Sequence, residues 1–154
     1  MTLNQIIDRI KKISLAHKQL NNFYFGFTTD FLTDKTTVYP SAFLNDNGGN
    51  IDVAGKQVTY NFKIYLLDLV NIVAETSSNE LEVQSDMMSV GLDLLAEFEH
   101  SSYTDWKLGF GNTFLLVQEA FDDMIAGVQI DFSITVMYTR DTCAVPTLTL
   151  PLTT

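Results

Sequence analysis

The first twenty residues carry apolar side chains at steps of three and four, a spacing that places them on one side of a helix. This pattern predicts a helix from Thr2 to about Leu20. Thr2 and Gln5 have the spacing of a capping box, which satisfies backbone N–H groups of the first turn. His17 falls on the apolar stripe, where we interpret it as a hydrogen-bonded core histidine rather than a ligand. The stripe consists of Leu3, Ile6, Ile7, Ile10, Ile13 and Leu20.

Alternating apolar and polar residues further along the chain predict strands, because successive side chains of a strand point to opposite faces. The clearest case is Gln57–Val70, which has one apolar and one polar face over most of its length. The aromatic segment Phe23–Phe27 predicts a short strand with its three phenylalanines on a buried face. Val38–Leu44 predicts another short strand, in which Pro40 indicates an edge or a bulge.

The segment Asn45–Asp52 is rich in Asn, Asp and Gly, which is typical of a turn or an exposed loop. It also carries oxygen ligands of the kind that bind calcium, on Asp46, Asn50 and Asp52. The residue order of an EF-hand and its closing glutamate are missing. We therefore expect an exposed turn rather than a metal site.

A second helix is predicted over residues 78–99, with possible capping boxes formed by Ser77 with Glu80 and by Asn79 with Glu82. Its apolar stripe is wide, which predicts burial against a sheet on one side and against a second helix or subunit on the other. The stripe consists of Val83, Met87, Val90, Leu94 and Phe98, broadened by Leu81, Met88, Leu92 and Leu95.

A long hairpin is predicted next, with strands over Thr113–Phe121 and Val128–Thr139. In the second strand, alternate residues from Val128 to Tyr138 are apolar, so we expect it to be a core strand. The residues between the two runs, including Asp122 and Asp123, are typical of a turn. Before the hairpin, residues 100–112 are predicted as a loop.

The chain continues into an apolar segment with two prolines, and we interpret residues 141–154 as an extended C-terminal arm. Its part Thr142–Leu152 could add as a strand to the sheet edge of a neighbouring subunit. Pro146 and Pro151 would limit further pairing. The alternatives are that the arm folds onto its own domain or is disordered. The predicted anchors at a subunit interface are Val145, Leu148, Leu150 and Leu152.

Together these elements predict an α+β fold with a mostly antiparallel sheet of four to five strands flanked by two helices. A chain of 154 residues is long enough for one domain with a substantial core. We expect residues 1–140 to form this single domain and the arm to follow it.

The chain is strongly acidic, and its charged residues are unevenly distributed. The net charge of −10, from 19 acids and 9 bases, argues against binding of phosphate backbones by clustered Lys and Arg. The first twenty residues contain four bases and one acid, a net +3, which leaves −13 for the rest. Such asymmetry could favour head-to-tail contact between copies, with Arg9 and Lys12 as candidate contact residues. The alternative is a solvated basic helix.

Residues suited to catalysis or metal binding are scarce. The two histidines and the single cysteine form no close pair, and one cysteine excludes an intrachain disulfide. A catalytic site would require His17 or His100 to meet Cys143 in a cleft, and Asp122-Asp123 is better interpreted as a turn than as a carboxylate pair. No stretch approaches the roughly 20 apolar residues of a membrane helix. We expect no enzyme activity, cofactor, metal or membrane partner.

The order of elements and several short motifs resemble a known family. The motifs are a Tyr39-Pro40 edge, Leu66-Leu67-Asp68, Leu81-Glu82-Val83-Gln84-Ser85-Asp86, Phe121-Asp122-Asp123-Met124-Ile125-Ala126-Gly127 and Cys143-Ala144-Val145-Pro146. On these motifs the chain resembles the tail terminator and head–tail joining proteins of tailed phages, including virion proteins of Bacteroidetes-infecting, crAss-like phages. The most specific parts are the Asp-Asp-x-x-x-Gly turn, the strand after it and the Cys-x-x-Pro tail.

The resemblance implies a structural virion protein that forms a homo-oligomeric ring around the DNA channel, at the head–tail junction or the tail top. It implies portal, collar or tail proteins as partners, passage of DNA without sequence-specific binding, and a place in the virion after synthesis in the host cytoplasm. Rings of six copies are usual in long-tailed phages, and twelve-fold rings occur next to portals. The alternative is a small acidic adaptor that binds another protein through its acidic helix without forming a ring.

Overall fold

The structure is a computed structural model, and it describes residues 1–26, 37–74, 77–100, 104–109, 111–120 and 124–138. These residues contain two helices, α1 (Leu3–Ala16) and α2 (Glu80–Glu99). The strands are β1 (Asn22–Phe25), β2 (Ser41–Asp52), β3 (Gln57–Leu69), β4 (Ile72–Ala74), β5 (Ser77–Ser78), β6 (Lys107–Leu108), β7 (Thr113–Ala120) and β8 (Ile125–Met137). The predicted α+β class with two helices is confirmed. The predictions for Phe27, Asp122, Asp123, Cys143 and the arm 141–154 lie outside the described residues.

Six strands form one sheet in the order β1-β2-β3-β8, and β8 pairs along its other edge with both β6 and β7. Neighbouring strands are antiparallel except for β1 and β2, which are parallel. Strands β4 and β5 pair with each other. The sheet exceeds the four to five strands predicted, because the segment predicted as a loop over 100–112 contributes β6.

The main core lies between the two helices and one face of the sheet. The apolar side of β8 and the central stripe of α2 are buried, as their periodicities predict. Gly91 lets α2 approach the sheet closely, since a side chain there would meet Ile130 and lie 3.3 Å from Cδ1 of Leu66. The core includes Ile6, Ile10, Leu44, Ile64, Leu66, Val90, Leu94, Val128, Ile130 and Ile134.

The opposite face of the sheet carries a smaller apolar cluster. Phe43 of β2, Leu67 of β3 and Ile125 of β8 are buried there, with Tyr24 and Tyr65 packed against them. The rings of Phe43 and Tyr65 lie 5.7 Å apart. Leu66 and Leu67, near the end of β3, are therefore buried on opposite faces of the sheet, whereas the last residue, Leu69, is exposed.

Helix α1 is shorter than predicted. Its capping box is present, because Thr2 accepts from the N–H of Gln5 and the Gln5 side chain accepts from the N–H of Thr2. The helix ends at Ala16, where His17 takes an extended conformation with φ −73° and ψ 127°. A short turn then returns Leu20 to the core. Leu20, the last residue of the predicted stripe, is thus buried because the turn directs it into the core and not because it belongs to the helix.

The segment Asn45–Asp52 forms the last two thirds of β2, so its prediction as a turn or loop is wrong. It pairs with β3, where Asn50 lies opposite Thr59. A bulge between Asp46 and Gly49 absorbs the extra residues. Gly49 permits this pairing because a side chain there would overlap the carbonyl of Thr59. Pairing with a long strand outweighs the turn preference of the composition.

Helix α2 begins at Glu80, without the predicted capping boxes. Ser77 lies in β5, and the N-cap residue Asn79 makes no side-chain hydrogen bond to the helix. Oδ1 of Asn79 instead accepts from the N–H of Asn71 at 2.7 Å. The side chain therefore ties the start of the helix to the chain that follows β3.

The two predicted short strands are both present with changed details. Phe23 is buried but Phe25 is 46% exposed, so the predicted burial is right for Phe23 and wrong for Phe25. The reason is that β1 is the outer strand of the sheet, where cover is incomplete. Strand β2 starts at Ser41 rather than Val38, directly after Pro40, which has no N–H for a ladder.

Candidate interaction surface

An apolar surface formed by α2 and β7 is exposed to solvent. On α2, Leu81 is 77% and Leu92 is 59% exposed. On β7, Phe114 and Leu115 are each 62% exposed and Leu116 is 43% exposed. Contiguous exposed apolar patches mark sites where proteins meet.

The register of the sheet places two of these β7 side chains on the helix side. Phe114 lies opposite Ile130 and Leu116 lies opposite Val128 on β8. Directly opposed residues of an antiparallel pair point to the same face, and Ile130 and Val128 belong to the main core. Phe114 and Leu116 therefore flank α2, while Leu115 points to the other face.

Helix α2 runs alongside this part of β7. Gln84 Nε2 donates to the carbonyl of Val117 at 3.2 Å, and Gly91 faces Ile130, the partner of Phe114. Leu81 and Leu92 are eleven residues apart, about three helical turns, so they lie on one side of the helix together with the half-buried Met88 and Leu95. We call the α2–β7 surface the patch formed by Leu81, Met88, Leu92, Leu95, Phe114 and Leu116.

Strand β7 also forms one edge of the sheet. Within the described residues it pairs only with β8. An edge strand presents backbone N–H and C=O groups that can pair with another chain, and exposed apolar edges do so readily. The α2–β7 surface thus combines apolar side chains with a backbone that can accept a further strand.

Arg9, a predicted interface residue, is held within the chain. Its guanidinium donates to both carboxylate oxygens of Asp105, at 2.6 and 2.9 Å, and lies 5.0 Å from the centre of the Trp106 ring. The hydrogen bond from Arg9 is the main reason that the pKa of Asp105 lies below its usual value. Trp106 Nε1 donates to the carbonyl of Phe98 at 3.1 Å, so these contacts join α1 to the end of α2. A subunit contact of Arg9 stays a prediction.

Lys12, the second basic interface candidate, lines an open groove of about 550 Å³ between α1 and α2. Ile13 and Leu94 supply apolar lining next to it. At the same groove, Nε2 of His17 lies 3.3 Å from Oδ2 of Asp93. His17 therefore has the hydrogen-bond partner that was expected, but it lies half-buried between the helices and not in the core. A subunit contact of Lys12 stays a prediction.

The remaining predicted interface residues belong to the arm and lie outside the described residues. They are Val145, Leu148, Leu150 and Leu152. His100 is the exposed C-cap residue of α2, and its hypothetical partner Cys143 also lies outside the described part. A catalytic pairing of these two residues is therefore not tested.

The carboxylates considered for calcium binding support the backbone locally. Asp46 Oδ1 accepts from the N–H of Gly48, and Asp52 Oδ1 accepts from the N–H of Gly55, each at 2.9 Å. Asn50 lies between them in β2. Across the described ranges, no group of three or more His, Cys, Asp or Glu side chains is placed to hold a metal ion.

Asp68, near the end of β3, has a pKa raised above its usual value. The largest cause is burial, which removes water from the carboxylate, and the like charge of Asp86 acts in the same direction. The N–H of Leu69 donates to Asp68 Oδ1 at 2.8 Å and partly opposes the rise in pKa. A raised carboxylate pKa can mark a general acid. Here a strand end beside an acidic helix is a sufficient physical cause.

We expect Asp68→Asn to raise the midpoint of thermal unfolding near neutral pH by about 1–2 °C, a small effect because water screens this partly exposed group. The folded protein binds the proton of Asp68 more readily than the unfolded chain, so stability falls as the pH rises through the raised pKa. The gain should vanish below the unfolded pKa of 3.8. Thermal unfolding near neutral and well below that pH measures it. An equal gain from Asp8→Asn, at an exposed position of α1, would contradict the conclusion that burial of Asp68 destabilises its charged form.

No protein-family model matches the chain, and no curated protein matches it either. The resemblance to phage proteins therefore rests on the sequence motifs. None of the helices in the described residues is long and apolar enough to cross a membrane.

Sequence patterns reveal only part of the α2–β7 surface. The wide stripe of α2 predicts two-sided burial, and α1 covers one flank of α2 while Leu81 and Leu92 on the other flank stay exposed. The run Phe114–Val117 is continuous and apolar, which is typical of a buried strand. The sequence pattern therefore gives no indication that Phe114, Leu115 and Leu116 are exposed. The available signal is that β7 lacks the alternation that β8 has, so that both of its faces are apolar.

Proposed function

We propose that this chain is a structural virion protein that assembles into a homo-oligomeric ring at the head–tail junction or tail top of a tailed phage. The ring surrounds the DNA channel and joins neighbouring portal, collar or tail components. The motif resemblance supplies the phage context. The assembly itself is supported by a separate observation on the described residues.

The observation that carries the proposal is the exposed α2–β7 surface. Phe114 and Leu116 of this surface are exposed apolar residues on an edge strand, and Leu115 between them is exposed on the opposite face of the sheet. Leaving them in water is costly in a monomer, at roughly 25 cal/mol per Å² of apolar surface. A contact that repeats from copy to copy covers this surface and closes into a ring when the rotation between copies closes.

The charge distribution supports a channel protein. Helix α2 contains six acids and no Lys or Arg, and the chain carries a net charge of −10. Tight, salt-dependent binding to phosphates requires clustered bases. An acidic ring repels the DNA backbone and lets the duplex pass without holding it.

We expect the purified full chain to form one closed species of six or twelve copies. Size-exclusion chromatography with light scattering gives the copy number, and negative-stain electron microscopy shows whether the particle is a ring. The double variant Leu92→Ser with Phe114→Ser should weaken assembly at least about tenfold, because buried apolar anchors dominate interfaces. The substituted side chains are exposed in the monomer, so its fold should persist.

Leu15→Ser is the matched control, since Leu15 is an exposed leucine on α1, away from the α2–β7 surface. The control should leave the copy number unchanged. A strict monomer at high concentration would contradict the ring, and a monomer that binds one other protein through α2 would favour the adaptor instead. Equal loss of assembly in both variants would show that the α2–β7 surface is not the contact.

A further inference from the structure

We propose that the α2–β7 surface of one copy receives the segment Thr142–Leu152 of a neighbouring copy as an added strand. The inference rests on the proposed ring and names the contact that builds it. The acceptor consists of described residues on α2 and β7, and the donor is a named segment of the same chain.

The side-chain patterns of donor and acceptor match. In an extended segment, Leu148, Leu150 and Leu152 point to one face, and Thr147, Thr149 and Pro151 point to the other. On the acceptor, Phe114 and Leu116 point to the helix side. Placed beside β7, the three leucines lie over α2 and the threonines lie on the face of Leu115.

The positions of the two prolines fit an arrangement in which Leu148 and Leu150 form the backbone hydrogen bonds to β7. Residues of one parity direct their N–H and C=O groups to the same neighbouring strand. If Leu148 and Leu150 pair with β7, Pro151 directs its missing N–H outward, where no bond is lost. Pro146 lies two residues before Leu148, so its backbone also faces β7. Because proline has no N–H, the ladder ends there. An outward proline also blocks addition of a further strand.

Charge favours this segment over a second copy of the acidic α2–β7 surface. Helix α2 carries only acids among its ionisable residues, and Glu80 and Glu99 stand at its two ends. Two such surfaces facing each other place like charges together, which is costly. The segment Thr142–Leu152 contains no charged residue. It can cover the apolar patch without bringing in further negative charge.

The path of the chain favours a neighbour over the same copy. The N–H of Tyr138 donates to the carbonyl of Lys56, on the β3 side of β8 and away from β7. Leu115 pairs with Gln129, about nine residues back along β8, or roughly 30 Å, and the outer edge of β7 lies about 10 Å to the side. Leu148 follows Tyr138 by about ten residues and reaches at most roughly 35 Å. Docking of Leu148 onto β7 of the same copy therefore requires an almost fully extended chain. Docking onto a neighbouring copy does not impose this requirement.

Paired cysteines in the full chain test the placement. In a Cys143→Ser background, Leu115→Cys is combined with Thr149→Cys, or with Thr147→Cys for the adjacent same-face register. Mild oxidation should then give covalent oligomers on a denaturing, non-reducing gel. Combining Thr149→Cys with Lys11→Cys on α1 is the control. We expect at least about tenfold more interchain bridge with Leu115→Cys, because docking raises the local concentration of the two thiols.

Each outcome of the crosslinking experiment either supports or contradicts the proposed contact. Interchain bridges specific to Leu115→Cys support the inference, and mass spectrometry of the linked peptides identifies the pair. Bridges within one chain, or equal bridging in the control, would overturn it, as would the absence of bridges from both donor positions. The copy number of the unmodified protein separates the two proposals. A ring without the specific bridge leaves the ring proposal standing, whereas a monomer removes the ring.

Discussion

Replacing Phe132 by alanine is expected to lower the free energy of unfolding by about 4 kcal/mol. Phe132 is buried, with its ring 5.4 Å from Phe98 on α2 and 5.6 Å from Phe62 on β3. Phe98 in turn lies 6.1 Å from the ring of Trp106, edge to face. Removing the central ring therefore leaves a cavity where α2, two strands and the chain before β6 meet.

Urea unfolding followed by tryptophan fluorescence measures the loss, since Trp106 belongs to the same aromatic cluster. The midpoint should fall strongly while the slope with denaturant stays the same, which indicates an unchanged transition. Phe25→Ala is the control, because that phenylalanine is half exposed on the outer strand, and it should cost less than about 1 kcal/mol. Similar costs for the two variants would mean that Phe132 is not central to the core.

The elements with strong periodicity were predictable from sequence. The alternation of β8 and the stripe of α2 place their apolar residues on one side, and burial of those residues follows from the hydrophobic effect. Strand β3 was predicted to within one residue at its end. In these elements the local pattern and the tertiary packing demand the same conformation, which is why the pattern suffices.

Features that depend on distant partners were not predictable. The segment Asn45–Asp52 has a turn composition but is extended because β3 lies beside it. The ion pair of Arg9 with Asp105 joins residues 96 positions apart, so no spacing rule indicates it. The exposure of Phe114 follows from its place on an edge strand, which only the strand order reveals.

Gly127, which closes the Asp-Asp-x-x-x-Gly motif, has a structural role that accounts for its residue type. It lies in β8 opposite Leu67 of β3 and opposite Val117 of β7, so its backbone is paired on both sides. A Cβ on this residue would overlap the carbonyl oxygen of Leu66 and lie 3.1 Å from Cα of Leu67. These are backbone atoms in the middle of the sheet, and they cannot rotate away as a side chain can.

Gly127→Ala is therefore expected to cost about 3 kcal/mol, at the upper end for an overpacked site, because β3 and β8 must separate locally. Gly55→Ala is the matched control, since the atoms nearest to its Cβ would belong to the Asp52 side chain in an exposed turn rather than to backbone, and it should cost about 1 kcal/mol or less. Urea unfolding compares the two, and hydrogen exchange should show faster exchange at Leu66–Asp68 in the Gly127 variant. Wild-type stability of Gly127→Ala would mean that β3 and β8 do not pair in this register, and the motif glycine would then need a functional explanation.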